Sequence, residues 1–308
     1  MSDLSHYSVL LKESIEMLKI KEDGTYLDCT VGGGGHSSAI LKRLITGHLY
    51  GFDQDDLAIG IASEKLRKIS NNFTIYKDNF VNILDHFEER SLDGIIYDLG
   101  VSSFQFDIPE RGFSYRFDGP LDMRMDEEMK VTAADIVNNY SEHELINIFY
   151  KYGEEPFSKE IARKICKVRE TSPITTTFQL VDIIKSSVPA KILRKPTHPA
   201  KQVFQALRIE VNHELDYLEK SLEGALKTLK KDGILVVITF HSLEDRIVKQ
   251  LFKKMTTIDL PKGLPFIPEG YEIDYKLINS KVILPSEEEL NENNRSHSAK
   301  LRGIMRIK

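Results

Sequence analysis

The sequence predicts an open, doubly wound α/β fold interrupted by a helical insertion. Three observations predict it. Short apolar runs alternate with helical stretches over about the first hundred residues, and a glycine loop follows directly on the first run. From Gln105 to Gln205 almost no β-rich run occurs, and a strongly apolar strand then resumes the pattern. Strands separated by helices imply right-handed βαβ units and a parallel sheet.

The elements follow in order. Strands are expected over residues 25–29, 48–53, 73–76 and 94–99, with a helix over 57–69. Amphipathic helices are expected over 133–139, 142–151, 158–169 and 177–186, punctuated by Gly153, Pro156, Pro173 and Pro189. A long helix ending near Leu229 leads through a Lys231-Asp232-Gly233 turn to a strand over 234–240, then a helix over 243–254. Residues 298–308 alternate as a closing strand. Ala299, Leu301, Gly303, Met305 and Ile307 fall on one face, and Lys300, Arg302, Ile304, Arg306 and Lys308 on a more basic one. The expected division is 1–105 and 206–308 as the two parts of one core, with 106–205 as the inserted helical subdomain.

With 308 residues the chain can bury a substantial core without staples. Cys29 and Cys166 form no CxxC or Cys/His spacing, so neither a disulfide framework nor a metal site is expected, and the compartment reads as reducing. No apolar run reaches the roughly 18 residues a membrane span needs. Asp3, His6, Lys12 and Glu13 stand where a signal peptide would be apolar, so a soluble cytoplasmic location is expected. The net charge of −5 argues against a protein that coats nucleic acid non-specifically, while leaving room for a local basic site.

The loop Thr30-Val31-Gly32-Gly33-Gly34-Gly35-His36 lies between a strand and a helix, where glycine permits tight turning and close approach to a ligand. Asp53 ends the second strand 21 positions after Gly32, where a carboxylate can accept both hydroxyls of an adenosine ribose. Spacing alone suits a nicotinamide cofactor equally well, although Gly32-x-Gly34-x-x-Ser37 is not a complete GxGxxG. Asp78 and Asp98 are also expected at strand ends, which converge on the ligand crevice of such a sheet. Acidic groups there suit a sulfonium cofactor bearing an ammonium group and would repel a pyrophosphate. Phe80 is placed to stack on an adenine or to pack in the core.

Longer motifs carry a resemblance along nearly the whole chain. They include Asp28-x-Thr30 through Ser37, Asp98-Leu99-Gly100-Val101-Ser102-Ser103-x-Gln105-x-Asp107, and Arg111-Gly112-Phe113-Ser114. Further on stand Gly119-Pro120-Leu121-Asp122-Met123-Arg124-Met125-Asp126, His198-Pro199-Ala200, Phe204 to Ile209, and Phe240-His241-Ser242-Leu243-Glu244-Asp245-Arg246. By these the chain resembles the bacterial small-subunit ribosomal RNA (cytosine-N4)-methyltransferases known as RsmH or MraW.

That resemblance implies a class I, Rossmann-like, S-adenosylmethionine-dependent methyltransferase fold with an inserted helical subdomain that recognises substrate. It implies methyl transfer to the N4 amine of a cytidine in the decoding centre of 16S rRNA, within the small ribosomal subunit. As a partner state, a monomer and a homodimer are both compatible with it. The family's cofactor contacts fall on Gly34, Gly35, His36, Asp53, Phe80, Asp98 and Gln105, and no metal is implied. The chain departs from the family pattern at Phe104, where proline is common, and at Ser296-His297-Ser298, where arginine is more frequent.

The N4 amine is a poor nucleophile, because its lone pair is delocalised into the ring. It must be aligned with the methyl group and given an acceptor for an N–H. Asp98 occupies the place for that acceptor but lacks an Asp-Pro-Pro-Tyr context, and the resemblance implies instead a cofactor contact, which outweighs a catalytic role. Methylation at ring carbon C5 would instead need a cysteine nucleophile, for which neither cysteine is well placed. His241, Ser242 and Asp245 are too close in sequence for a hydrolase relay. Ser242 is expected to cap the following helix, while His241 or Ser242 remains a candidate contact to the base. Basic residues gather at Lys159 to Arg169, at Lys191, Arg194, Lys195 and Lys201, and at Arg295 to Lys308. The second and third groups are the better candidates for phosphate contacts. Residues 111–126 suit either a loop over substrate or a structural linker, with Asp122 and Arg124 able to pair.

Overall fold

The computed structural model describes residues 8–258 and 273–308. It divides into two compact units, Met1–Gly100 with Leu215–Lys308, and Val101–Glu214. The division expected at 105/106 and 205/206 differs from this at both ends. The helix Lys201–Asn212 runs through the second expected boundary, and its Val203, Phe204, Ala206 and Leu207 belong to the helical core.

The first unit is built on a seven-stranded sheet of order β3-β2-β1-β4-β5-β7-β6. The strands are β1 (Thr25–Asp28), β2 (His48–Asp53), β3 (Phe73–Lys77), β4 (Leu92–Asp98), β5 (Leu229–Thr239), β6 (Tyr275–Leu277) and β7 (Lys300–Arg306). β1 to β5 pair in parallel, whereas β7 runs antiparallel to both β5 and β6. Because successive side chains point to opposite faces, each central strand feeds two cores. Leu27, Ile95, Tyr97, Leu235 and Val237 join one with Leu218, Leu222, Val248 and Phe252 of the helices Glu214–Thr228 and Ser242–Thr256. Tyr26, Ile96, Val236 and Ile238 join the other with Ile15, Leu18, Ile40 and Leu66. Helices on both faces explain why β4 is buried continuously from Leu92 to Tyr97 and not at alternate positions.

β4 starts two residues before the strand expected from Gly94, and Lys231-Asp232-Gly233 is not a separate turn. β5 begins at Leu229, opposite Leu92, and Ile234 then faces Gly94. The extra residues form a bulge with Asp232 at φ 64°. The long helix expected to end near Leu229 is Glu214–Thr228, set off from the helix Lys201–Asn212 by His213, which takes φ 52°.

The closing strand forms as expected, but its basic face is largely engaged within the unit. Ile304 and Arg306 are buried, and the Arg306 guanidinium donates to the carbonyls of Lys227, Leu229 and Lys308. Arg302 Nε and Lys300 Nζ lie 2.8 Å and 3.3 Å from the Asp245 carboxylate. Burial raises the carboxyl pKa of Asp245, but the hydrogen bond and charge of Arg302, with Lys300, outweigh it and hold the group below its usual value. The ion pair therefore stabilises above the ordinary carboxylate range and is lost as pH falls through the lowered pKa. Replacing Arg302 with alanine is expected to cost about 1–3 kcal/mol of stability in chemical denaturation, with RNA affinity unchanged.

The second unit packs the helices Ala133–Asn139, Glu142–Gly153, Ser158–Arg169, Thr177–Ser187 and Lys201–Asn212 around Ile136, Phe149, Ile161, Ile184 and Leu207. Capping boxes start three of them: Thr132 with Asp135, Ser141 with Glu144, and Thr176 with Gln179. Residues 111–126 are stitched into this unit. Asp122 and Arg124 form the expected pair, with bidentate contacts of 2.8 and 2.7 Å, and Asn212 bonds the backbone of Met123 and Met125. This favours the structural reading of the segment.

Candidate functional site

The site is assembled at the carboxyl ends of β1, β2 and β4. β1 ends in Asp28, which is buried. Its Oδ1 accepts from the backbone N–H of Thr30 (3.1 Å) and its Oδ2 from the Ser37 hydroxyl (2.6 Å), so the carboxylate fixes both ends of the glycine loop. Burial raises its pKa, although nearby His36 and the two hydrogen bonds work against the rise. Thr30 in turn accepts the backbone N–H of Asp98 at 2.7 Å, tying the loop to β4.

Glycine is required by conformation at two places in the loop. Gly32 has φ 49° and Gly34 φ 71°, and Gly34 caps the helix Gly35–Leu41. A Cβ on Gly34 would also stand 3.2 Å from the Ala62 Cβ. Asp53 then locks the turn: its Oδ2 accepts the Gly32 N–H at 2.7 Å and its Oδ1 the Asp55 N–H at 3.0 Å. Burial pushes its pKa up to about 6 against these bonds. Each carboxylate oxygen has two acceptor positions, so both remain able to take a hydroxyl.

His36, on the first turn of that helix, is buried, with Nδ1 3.4 Å from Asp98 Oδ2. Burial lowers the imidazole pKa, but the Asp98 hydrogen bond and the charges of Asp98 and Asp28 outweigh it, and the net direction is upward. The other oxygen of Asp98, Oδ1, is buried and has no hydrogen-bond partner among the described residues. A buried carboxylate oxygen left unpaired is costly, so it marks where a ligand donor belongs.

Phe80 opens the 3-10 turn Phe80–Asn82 after β3, half-buried and edge-on to Tyr97 at 5.5 Å. Gln105 lies in the helical unit, where it is buried and completes a capping box with Ser102. Asp78 turns out to serve its own turn. Its oxygens take Asn79 N–H, Asn82 Nδ2 and, at 2.7 Å, His86 Nε2. Burial would raise its pKa, but the His86 bond and its companions bring it below the usual value.

At the end of β5 the cap of the helix Ser242–Thr256 is His241, not Ser242. His241 Nδ1 accepts the Glu244 N–H, and Glu244 Oε2 accepts the Phe240 and His241 N–H groups. The signal missed in the sequence was Glu244, which sits three residues after the true cap. Asp28 was also missed as a site residue, although an aspartate closing the first strand before a threonine and a glycine run was visible.

The helical unit holds a cavity of about 780 Å³ lined by residues including Tyr115, Arg116, Phe178, Lys185, His198 and Lys201. Tyr115 and His198 stack with centroids 4.5 Å apart at 10°. Burial, then the positive charges of Lys185 and Arg116, lower the His198 pKa. Of the basic residues singled out in the sequence, Lys201 is the one in this lining.

A parallel five-stranded sheet closed by a reversed seventh strand, with a glycine loop set among strand-end carboxylates, defines a Rossmann-like methyltransferase. A model of the MraW methylase family matches residues 3–307. The chain belongs to that family. It is 53% identical over 313 residues to the ribosomal RNA small subunit methyltransferase H of Streptococcus mutans serotype c, covering 100% of this chain and 99% of that one. Among solved structures it is similar to an rRNA methylase from Streptococcus thermophilus, at 11% identity and TM-score 0.45 over 99% of both chains. It is also similar to NSun6 from Pyrococcus horikoshii with SFG, at 12% identity and TM-score 0.44 over 100% of this chain and 56% of that one.

Proposed function

We propose that the protein transfers a methyl group from S-adenosylmethionine to the N4 amine of a cytidine in the decoding centre of 16S rRNA, within the small ribosomal subunit. The observation that carries this reading is the set of three carboxylates, Asp28, Asp53 and Asp98, at the ends of neighbouring strands around one glycine loop, with Asp98 Oδ1 buried and without a hydrogen-bond partner among the described residues. Acidic walls suit a ligand carrying sulfonium and ammonium charges and disfavour the pyrophosphate of a nicotinamide cofactor. When bound, S-adenosylmethionine supplies an electrophilic methyl group.

The chain's own groups bind and orient. Asp53 accepts the ribose hydroxyls, Phe80 faces the adenine, and Asp98 offers Oδ1 to a donor of the cofactor. Gly34, Gly35 and His36 form the loop side of the site. Amine methylation is favoured over ring-carbon methylation by the state of the cysteines. Burial drives the Cys29 thiol well above its usual pKa and raises that of Cys166, which opposes the thiolate that C5 chemistry needs. Digestion of small-subunit rRNA after incubation with labelled S-adenosylmethionine, followed by mass spectrometry, should reveal N4-methylcytidine. Label at C5 or on another nucleotide would overturn the assignment.

On the RNA side, the cavity of the helical unit offers stacked aromatic faces beside cations, a pairing that suits bases and phosphates of a single strand. The double variant Lys185→Ala with Lys201→Ala is expected to weaken RNA binding. The salt dependence should flatten by roughly one to two slope units, with cofactor affinity unchanged. A parental salt slope in titrations between low and moderate salt would remove this cavity from the RNA path.

A further inference from the structure

One buried polar chain joins β4 to the Phe80 turn through the helix Glu214–Thr228, and neither the fold nor the proposed chemistry accounts for it. Tyr97 precedes Asp98 on β4 and is fully buried, as is Ser221 on the helix Glu214–Thr228. The Tyr97 hydroxyl lies 2.6 Å from Ser221 Oγ, and Ser221 Oγ lies 2.7 Å from the carbonyl oxygen of Phe80. Cys29, the first residue after β1, is buried in the same core as Tyr97.

The proton directions are determined by one member. A carbonyl only accepts, so Ser221 donates to Phe80 and must accept from Tyr97. Both buried hydroxyls therefore have a partner, Tyr97 in Ser221 and Ser221 in the Phe80 carbonyl as well. Burial keeps both Tyr97 and Cys29 protonated, raising each pKa well above its usual value. The ring of Tyr97 meanwhile meets the Phe80 ring edge-on at 70°. Tyr97 thus holds the Phe80 turn twice, directly through the ring and through Ser221 to the backbone.

A core tyrosine needs only one partner to be buried without cost. Here the partner is a serine whose own bond ends on the backbone of Phe80, the aromatic residue of the turn. We propose that Tyr97 and Ser221 are positioning residues, which set the Phe80 turn as a platform for the adenine of the cofactor. This rests on the reading of the site as one for S-adenosylmethionine.

The test is calorimetric binding of S-adenosylmethionine and of 5′-methylthioadenosine, which keeps the adenine end alone, to the full-length protein. It is joined to steady-state kinetics on small subunits and to thermal melting. Tyr97→Phe retains the ring and removes the hydroxyl, and Ser221→Ala removes the link. Each is expected to raise Kd for both ligands by the same factor, about five- to twentyfold, while kcat at saturating cofactor stays within twofold. The double variant should bind no more weakly than the worse single, because the two groups act as one chain.

A lower melting temperature with unchanged Kd for both ligands would overturn the proposal and leave the cofactor assignment standing. Failure of the parent protein to bind S-adenosylmethionine would overturn both. Ser221→Cys keeps a weak donor of similar size, and is expected to restore part of the affinity lost in Ser221→Ala. It also provides the reading if Tyr97→Phe does not fold: parental affinity in both Ser221 variants would then overturn the proposal.

Discussion

Asp53→Ala is expected to weaken S-adenosylmethionine binding by about 1.5–3 kcal/mol, roughly ten- to 150-fold in Kd. Two losses combine in that figure. The variant lacks the acceptors for the ribose hydroxyls, and it frees the Gly32 N–H that Asp53 holds at 2.7 Å, so the loop is no longer fixed in its turn. Isothermal titration against the parent measures the sum, and Asp53→Asn retains part of the size and polarity while removing the charge.

The same residue predicts a pH profile. Its carboxyl titrates at about 6, raised by burial, so the folded chain holds this proton more tightly than the unfolded one. The protonated form therefore favours folding at low pH, and that contribution is lost as pH rises through about 6. Ligand binding has the opposite sign, because the ribose hydroxyls prefer the carboxylate. Affinity should be level above pH 6 and fall below it, and Asp53→Asn should abolish that break. A break retained in the asparagine variant would assign the titration to another group.

The second large effect is expected at Asp98. Asp98→Ala removes the acceptor Oδ1 and deprives the buried imidazole of His36 of its carboxylate partner. Loss of a charge-assisted contact in a buried site is worth about 1.5–3 kcal/mol, so Kd for the cofactor should again rise tenfold or more. If binding is the main role, the transfer rate at saturating cofactor changes by less than tenfold. A fall of a hundredfold or more in that rate with Kd unchanged would make Asp98 the acceptor of the amine proton, since general-base contributions are of roughly that size. Single-turnover measurements on small subunits separate the two.

Much of the candidate site is legible in the sequence, because its information is local. The glycine loop, Asp53 and Asp98 all sit at strand ends, and a strand end can be read from where an apolar run stops. Asp78 obeyed the same rule and misled, since the deciding contact is with His86, eight residues away on a short helix. The closing strand shows a different limit. Alternation located it correctly, but whether Lys300 and Arg302 face solvent or Asp245 depends on a helix more than fifty residues earlier in the chain. Tyr97 and Ser221, 124 positions apart, carry no pattern in one dimension. The same holds for the bulge in β5, where a Lys-Asp-Gly triplet reads as a turn although the strand continues on both sides.

The place of β7 has a consequence for how the chain reaches this structure. β4 finds its neighbour β5 only after the whole helical unit has been made, and β5 gains its second neighbour only when residues 300–306 arrive. Pairings over such sequence distances form late, since loop closure must precede any gain from contact. The helical unit, whose contacts are shorter in range, can settle first. Until β7 docks, β5 presents an open edge and Asp245 lacks both of its cations. A nascent or truncated chain ending before Lys300 would therefore be prone to edge-to-edge association rather than merely inactive, which makes the final strand the point at which folding becomes safe from aggregation.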